Sequence, residues 1–277
     1  MGAANFETIR LETQGPIAIL TLNRPDQLNA INDQMKIEIA DALERVEADD
    51  QIAVLVLRGA GRAFCAGFDL HREDGETDVE RGASFWEPVL RSGFDAIMGF
   101  WHLSKPTISA VHTYALAGGF EMALACDVTI AAEGTRMGEP ELKFNSGIVA
   151  LLLPWLTNPK KAKQLILTGN DRLDARAALD LGLINEVVPA GEEFEAAMEM
   201  AREIAVVDQE VVRLTKKAIN RSYEIMGMGE ALRTALDIDV EIESLETPDG
   251  KQFKKIMREQ GLKAAVTWRD ARFSSSS

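Results

Sequence analysis

The sequence has little of what marks metal, disulfide or membrane chemistry. It holds two cysteines, Cys65 and Cys126, and three histidines, His71, His102 and His112, with no metal-ligand spacing among them. Both cysteines sit among small or apolar neighbours and read as buried free thiols. The histidines read as structural or surface groups. No apolar run reaches membrane-spanning length, and the opening MGAANFETIR lacks an apolar h-region. Phe6 stands where a myristoylation signal needs Ser or Thr. Basic residues are scarce: 30 Lys and Arg face 44 Asp and Glu, a net charge of −14. That balance argues against a general nucleic-acid or membrane-surface binder, although a local basic patch can still take an anionic ligand. There is no P-loop, no GxSxG elbow and no HExxH, and Gly59-Ala60-Gly61 is too short for a dinucleotide fingerprint. The absences leave a protein of a reducing compartment, expected to be soluble and cytoplasmic.

What is present is a chain of 277 residues, 46% hydrophobic, enough for one large core with an appended subdomain. Ile17 to Pro25 reads as a strand ended by a proline turn, and Asn32 to Glu47 as a helix capped by Asn32. Ile52 to Gly59 is a continuous apolar strand, covered on both faces. His71 to Gly82 is polar and charged and reads as a mobile loop or lid. Ser84 to Leu103 forms a helix rich in Phe and Trp, whose Trp86 and Trp101, with Trp155, read as core or pocket wall. Pro106 to Val111, Val128 to Gly134 and Leu183 to Pro189 read as further strands, with a helix near Asp174 to Leu181. From Glu192 onward only helical patterns remain, at 192–205, 208–226, 229–245 and 249–258. The last serines, Ser274 to Ser277, are low complexity and expected to be disordered.

Within YALAGGFEMALACD, Tyr114 to Asp127, glycines turn the chain tightly and a helix begins. The first N–H groups of a helix have no intrahelical partner and carry partial positive charge. Gly118 lets a ligand approach that backbone closely, which suits an oxygen that becomes negative. Glu121 lies three residues on, on the same helical face. Taken alone, a solvated first-turn glutamate favoured by the helix dipole is the plainer reading. RMGEPELKF adds Glu139 and Glu141 around Pro140, just after the next strand. If the strands run parallel, both post-strand segments emerge at one sheet edge, and Glu121 and Glu141 can face each other across a pocket. A solvated loop carboxylate is the plainer reading of Glu141. GRAFCAGFDL, Gly61 to Leu70, adds a turn near Gly67-Phe68 that can present another N–H, or be an ordinary turn with Asp69 as its cap.

Together these segments resemble the crotonase (enoyl-CoA hydratase/isomerase) superfamily. NRPDQLNAIN, GRAFCAGFDL, KPTISAVHTYALAGGFEMALACD, MGEPELKF, LTGNDRLDARAALDLGLINEVV and TPDGKQF occur in family order over nearly the whole chain. The resemblance implies an α/β fold: a crotonase-like spiral of ββα turns followed by a C-terminal helical trimerisation region. It places the ββα-spiral catalytic core at 1–206, the C-terminal helical region at 207–273 and the tail at 274–277. It implies that the N–H groups of Phe68 and Gly118 form the oxyanion hole for an acyl-CoA thioester carbonyl. Glu121 falls on the family position that orients and deprotonates water, and Glu141 on the one that exchanges a proton at the α-carbon. Ala66, Asp69 and Leu70 fall on a stretch whose backbone meets the adenine. Arg24 to Ala30, with Leu28, match a loop lining the CoA groove, and Gly67, Gly119 and Pro140 complete the implied substrate wall. No metal or other cofactor is implied, since CoA is part of the substrate; a homotrimer or dimer of trimers is. Neither nucleic acid nor membrane is an expected partner.

The sequence departs from the family pattern in places. GIVALLLPW replaces the usual glycine-rich run, and Val149 stands where a glycine usually lies near the water. Ala117 replaces the first of three glycines, and His112-Thr113 the usual Asn-Gly. The leading expectation is an enoyl-CoA hydratase. Isomerisation, hydrolysis or C–C cleavage through the same enolate is the alternative within enzymes, because fold alone does not choose among them. A non-catalytic acyl-CoA or RNA-binding relative is the alternative outside them. Its motive is the basic stretch Lys251, Lys254, Lys255, Arg258 and Lys263, which also reads as a solvated helix face.

Overall fold

The computed structural model of the protein describes residues 6–70, 81–245 and 247–274. Most of the segment read as a lid, with His71, and the final Ser275 to Ser277 lie outside the described residues.

The first hairpin pairs β1 (Ile9–Gln14) antiparallel with β2 (Ile17–Leu22). The remaining strands of the main sheet are parallel: β3 (Val54–Gly59), β4 (Thr107–Val111), β6 (Val128–Ala132) and β9 (Glu186–Val188). Their order is β1-β2-β3-β4-β6-β9. Parallel strands need both faces covered, which is why β2, β3 and β4 are almost continuously apolar. One face packs on α7 (Glu193–Ala205), where Ala197, Met198 and Ala201 meet Ile17, Val54, Val56, Ile108 and Ile130. The other carries the larger core, which includes Phe64, Phe100, Phe120 and Trp101, with Trp86 and Trp155 packed at its margin.

A second layer of short strands runs over this core. β5 (Tyr114–Leu116) pairs parallel with β7 (Arg136–Gly138), and β7 antiparallel with β8 (Leu173–Asp174). Parallel bridges Cys65 to Ala115 and Ile31 to Phe68 extend the layer backward along the chain. The chain therefore winds in turns: a strand in the main sheet, a rung in the second layer, then a helix. The helices closing these turns are α1 (Asp33–Ala48), α2 (Ala83–His102), α3 (Gly118–Ala125), the short α4 (Leu153–Leu156) with α5 (Pro159–Leu167), and α6 (Ala175–Asp180). Asn32 caps α1, its side chain accepting from the Met35 N–H at 3.0 Å.

The C-terminal part is helical: α8 (Gln209–Ile225), α9 (Met228–Glu243), α10 (Pro248–Gln260) and α11 (Leu262–Ser274). An ion pair from the buried Lys216 Nζ to Asp127, at 2.6 Å, fastens α8 to the segment that enters β6. α9 lies against α2 and buries Met228, Leu232, Leu236 and Asp239. Residues of its other stripe, Ala231, Ile238 and Leu245, are exposed. α10 and α11 pack on each other around Phe253, Ile256 and Ala265, and Lys251, Lys254, Lys255, Arg258 and Lys263 lie on their exposed faces. No described helix is long and apolar enough to cross a membrane.

Candidate active site

The site is built where the second layer meets α3. The Leu116 N–H donates to the Cys65 carbonyl at 3.0 Å, which sets residues 65–68 beside 115–118. Gly67, at φ +97°, turns the first segment at the contact. A Cβ there would lie 2.5 Å from the Ala117 Cβ and 3.5 Å from the Gly118 nitrogen, so only glycine allows the two backbones to approach this closely. In the bridge to Ile31, the partners are the carbonyl of Gly67 and the N–H of Asp69. The N–H of Phe68 therefore points the other way, toward α3. Gly118 opens α3, so its N–H has no intrahelical acceptor. Among the described residues neither N–H donates to a protein acceptor. The Phe68 ring fixes this arrangement: it lies 2.7 Å from where a Gly118 Cβ would stand and 3.0 Å from where a Gly93 Cβ would. Two glycines, one on α3 and one on α2, clasp the ring.

Glu121 stands one turn into α3 and is fully buried. Its Oε2 accepts from the Ala150 N–H at 2.6 Å, while its Oε1 has no partner. Glu139 and Glu141 arrive from the end of β7, the strand parallel to β5; β4 and β6 are parallel in the main sheet too, but the carboxylates follow the pair in the small sheet directly. Glu141 begins a short 3-10 helix, Glu141–Phe144, behind Pro140. Carboxylate oxygens of Glu121, Glu139 and Glu141 all lie within 4.8 Å of one another. Hard oxygen donors at this spacing suit a cation in kind; as a bare acidic cluster they assign none. Both Glu141 oxygens and Oε2 of Glu139 are also buried without a partner.

Burial sets the electrostatics. It drives the Glu121 carboxyl well above the usual carboxylate range, with the Glu141 charge adding to the effect and the Ala150 N–H opposing it. Glu139 is likewise raised well above, first by burial and then by the charges of Glu141 and Glu121. Glu141 is pushed up to about 8, again by burial first. A fourth acid joins from α9. Asp239 is buried, has no partner on either carboxyl oxygen, and is raised to about 7 by burial and by Glu243.

The other expected residues fall as follows. Arg24 pairs with Asp69 at 2.8 Å and donates to the Ala30 carbonyl, so the two stretches assigned to CoA meet each other. Leu28 (φ +51°) and Asn29 (φ +56°) bend their loop, and the buried Asn29 amide donates to the carbonyls of Ala60, Ala63 and Phe64. Ala66 donates its N–H to the Leu28 carbonyl at 3.0 Å, and Leu70 is exposed. Gly119 faces the protein: a Cβ there would lie 2.6 Å from the Cys65 carbonyl oxygen, so its glycine is needed for packing. His112 sits 3.8 Å from Glu193, at the far end of the sheet's contact with α7, and takes no part in the cluster. Sequence reasoning missed Asp239 and gave Glu139 no role. The signal for Asp239 was its place at the end of the apolar stripe Met228, Leu232, Leu236, where a helix buries whatever follows in phase.

Comparison with known proteins gives one consistent answer. The family model described as enoyl-CoA hydratase/isomerase matches residues 12–273. A probable enoyl-CoA hydratase of Rhizobium meliloti is 35% identical over 237 residues, covering 83% of this chain and 87% of its own. The short-chain-enoyl-CoA hydratase of Clostridium acetobutylicum is 36% identical over 252 residues, covering 89% and 92%. The crystal structure of an enoyl-CoA hydratase/isomerase from Xanthobacter autotrophicus Py2 superposes with a TM-score of 0.93 at 46% identity, covering 97% of this chain and 99% of that one. With the ββα winding and the helical C-terminal region already in view, the chain belongs to the enoyl-CoA hydratase/isomerase family, the crotonase superfamily.

Proposed function

We propose that this protein is an enoyl-CoA hydratase, adding water across the double bond of a 2-enoyl-CoA thioester. The observation that carries the reading is the pairing of two buried carboxyls, Glu121 and Glu141, with the two unbonded N–H groups of Phe68 and Gly118. Addition of water to a conjugated thioester moves charge onto the carbonyl oxygen. Two fixed donors in a dry site stabilise that enolate, and losing one such donor typically costs about 10²–10³ in rate. Glu121 holds and deprotonates the water that attacks the β-carbon. Its Oε2 stays on the Ala150 N–H, leaving Oε1 for the water. Glu141 delivers the proton to the α-carbon. One acid must be charged and the other protonated; burial raises the proton affinity of both, and the charge on Glu141 raises that of Glu121 further, so the two do not ionise together. Val149 and the Phe68 ring both lie close to Gly93, 3.5 Å and 3.0 Å from where its Cβ would stand.

The same reading takes CoA along the Arg24–Ala30 and Ala66–Leu70 stretches, uses no metal or redox cofactor, and places the enzyme in the cytoplasm. It assembles as a trimer or dimer of trimers; the exposed apolar stripe of α9, with Ile238 at 51% and Leu245 at 63% exposure, supports that. The test is a panel of enoyl-CoA thioesters, short, long and aromatic. Loss of the conjugated-thioester absorbance with a product one water heavier supports hydration. Free CoA-SH, a shortened acyl product or an unchanged mass with a moved double bond would assign hydrolysis, C–C cleavage or isomerisation instead.

A further inference from the structure

Glu139 has no task in the hydratase reading, yet its backbone is held firmly in place. Its N–H donates to the Asn170 carbonyl at 2.9 Å. The preceding Gly138, at φ +147°, lies so close to that carbonyl that a Cβ would collide with it. Pro140 follows. The side chain is therefore directed inward by a backbone held on both sides, and the residue is 1% exposed. Around it stand Glu141 from the same loop and Glu121 from α3, with Asp239 of α9 raising both of those acids. On the flank, Lys143 is engaged with Asp171 at 3.0 Å. Among the described residues no cation pairs with Glu121, Glu139 or Glu141.

Three adjacent carboxylates without a counter-charge are not a stable arrangement in a dry site. Two carboxyls whose oxygens lie within 4.8 Å become a hydrogen-bonded pair only when one of them holds a proton. Glu139 is the member whose charge is opposed by both neighbours as well as by burial. We propose that Glu139 is a positioning residue that retains a proton and donates it in a hydrogen bond to the Glu141 carboxylate, so that the cluster keeps one fixed proton while another is exchanged with substrate. The fixed proton cancels one charge, orients the Glu141 carboxyl, and stabilises its charged form. The raised proton affinity of Glu139 agrees with this direction of donation.

The inference rests on the hydratase reading only for its turnover arm; a spectroscopic arm stands alone. Two near-isosteric variants separate the cases. Glu139→Gln keeps a donor toward Glu141 and cannot ionise; Glu139→Leu keeps the bulk and removes the donor. In the infrared pH titration of the full-length protein, the C=O stretch of protonated carboxyls near neutral pH should lose one component in Glu139→Gln. The Glu141 component, assigned by its disappearance in Glu141→Gln, should titrate about one to two pH units higher in Glu139→Leu, the size of one hydrogen bond to a charged group, and close to wild type in Glu139→Gln. In turnover on an enoyl-CoA, the alkaline limb of kcat/KM should move upward with it in Glu139→Leu alone. A protonated-carboxyl signal undiminished in Glu139→Gln, or Glu141 titrations that agree in wild type and Glu139→Leu, would overturn the proposal. If the wild type hydrates no enoyl-CoA, the hydratase reading fails and the infrared titration still decides the role of Glu139.

Discussion

Replacing Asp239 by Asn should make the protein more stable in alkaline solution and less stable in acid, by about 1–3 kcal/mol if the new NH₂ is unpaired. Asp239 sits on the buried stripe of α9 with neither carboxyl oxygen bonded, against Gly147. Burial, helped by the charge of Glu243, raises its pKa from 3.8 to about 7. The native state thus binds its proton more tightly than the unfolded chain does. The proton-bound contribution is complete below about pH 4, declines as pH rises toward about 7, and is gone above it. A displacement of about 3 pKa units corresponds to a ceiling of about 4 kcal/mol. The asparagine oxygen can face the Gly147 N–H, but its NH₂ gains a burial cost of about 1–3 kcal/mol if unpaired. The expected net gain at alkaline pH is therefore about 1–3 kcal/mol. Urea unfolding of wild type and Asp239→Asn across this pH range gives the difference, which also includes the change that loss of the Asp239 charge makes in the titration of Glu121 and Glu141. A difference that does not change with pH, or that favours wild type more as pH rises, would refute the argument.

Further outcomes follow from the same contacts. Gly118→Ala places a methyl 2.7 Å from the Phe68 ring, so the ring must shift and carry the Phe68 N–H with it; turnover should fall by about 10²–10³, as for a lost oxyanion donor, with folding retained by circular dichroism. Ala117 is a non-glycine residue at φ 54°, ψ −135°, and Ala117→Gly should raise stability by about 1 kcal/mol in urea unfolding, strain relief exceeding the added chain entropy. Sedimentation of the full-length protein at micromolar concentration should give a trimer or hexamer; a monomer would remove the role assigned to the exposed stripe of α9.

Much of this architecture was legible because long elements repeat a signal. The Asn32 cap, the continuous apolar run of β3 and the four helices from α7 to α10 follow period and capping, and each lies within a few residues of its expected limits. The strands β5, β7 and β8 were not foreseen, since two or three residues carry no periodicity. They are nevertheless what sets Gly118 beside Phe68 and Glu141 opposite Glu121. β1 was missed although Ile9 and Leu11 alternate ahead of the Gly15-Pro16 turn. α5 and α11 were missed too: the first is short, and the second has no clear apolar face. Of the candidate site, residues on one local motif were readable together, whereas the meeting of Glu139 and Asp239 with them depends on tertiary packing between segments far apart in sequence. The apolar stripe Ala231-Ala235-Ile238-Ile242-Leu245 is not the face that α9 turns to its own core, which is Met228, Leu232, Leu236 and Asp239.

The central claim is that Glu121 and Glu141 act as a pair on water and the α-carbon. The most direct measurement is turnover of Glu121→Gln and Glu141→Gln on the best enoyl-CoA substrate, with separate titration of a non-reactive acyl-CoA. Both variants keep side-chain size, and in Glu121→Gln the amide oxygen can still accept from the Ala150 N–H. Each should lose about 10²–10⁴ in kcat, the range of a positioned acid or base, with acyl-CoA affinity little changed and the double variant little worse than the poorer single one. Unimpaired turnover in Glu121→Gln beside a dead Glu141→Gln would contradict two-carboxylate hydration and point to chemistry with a single base.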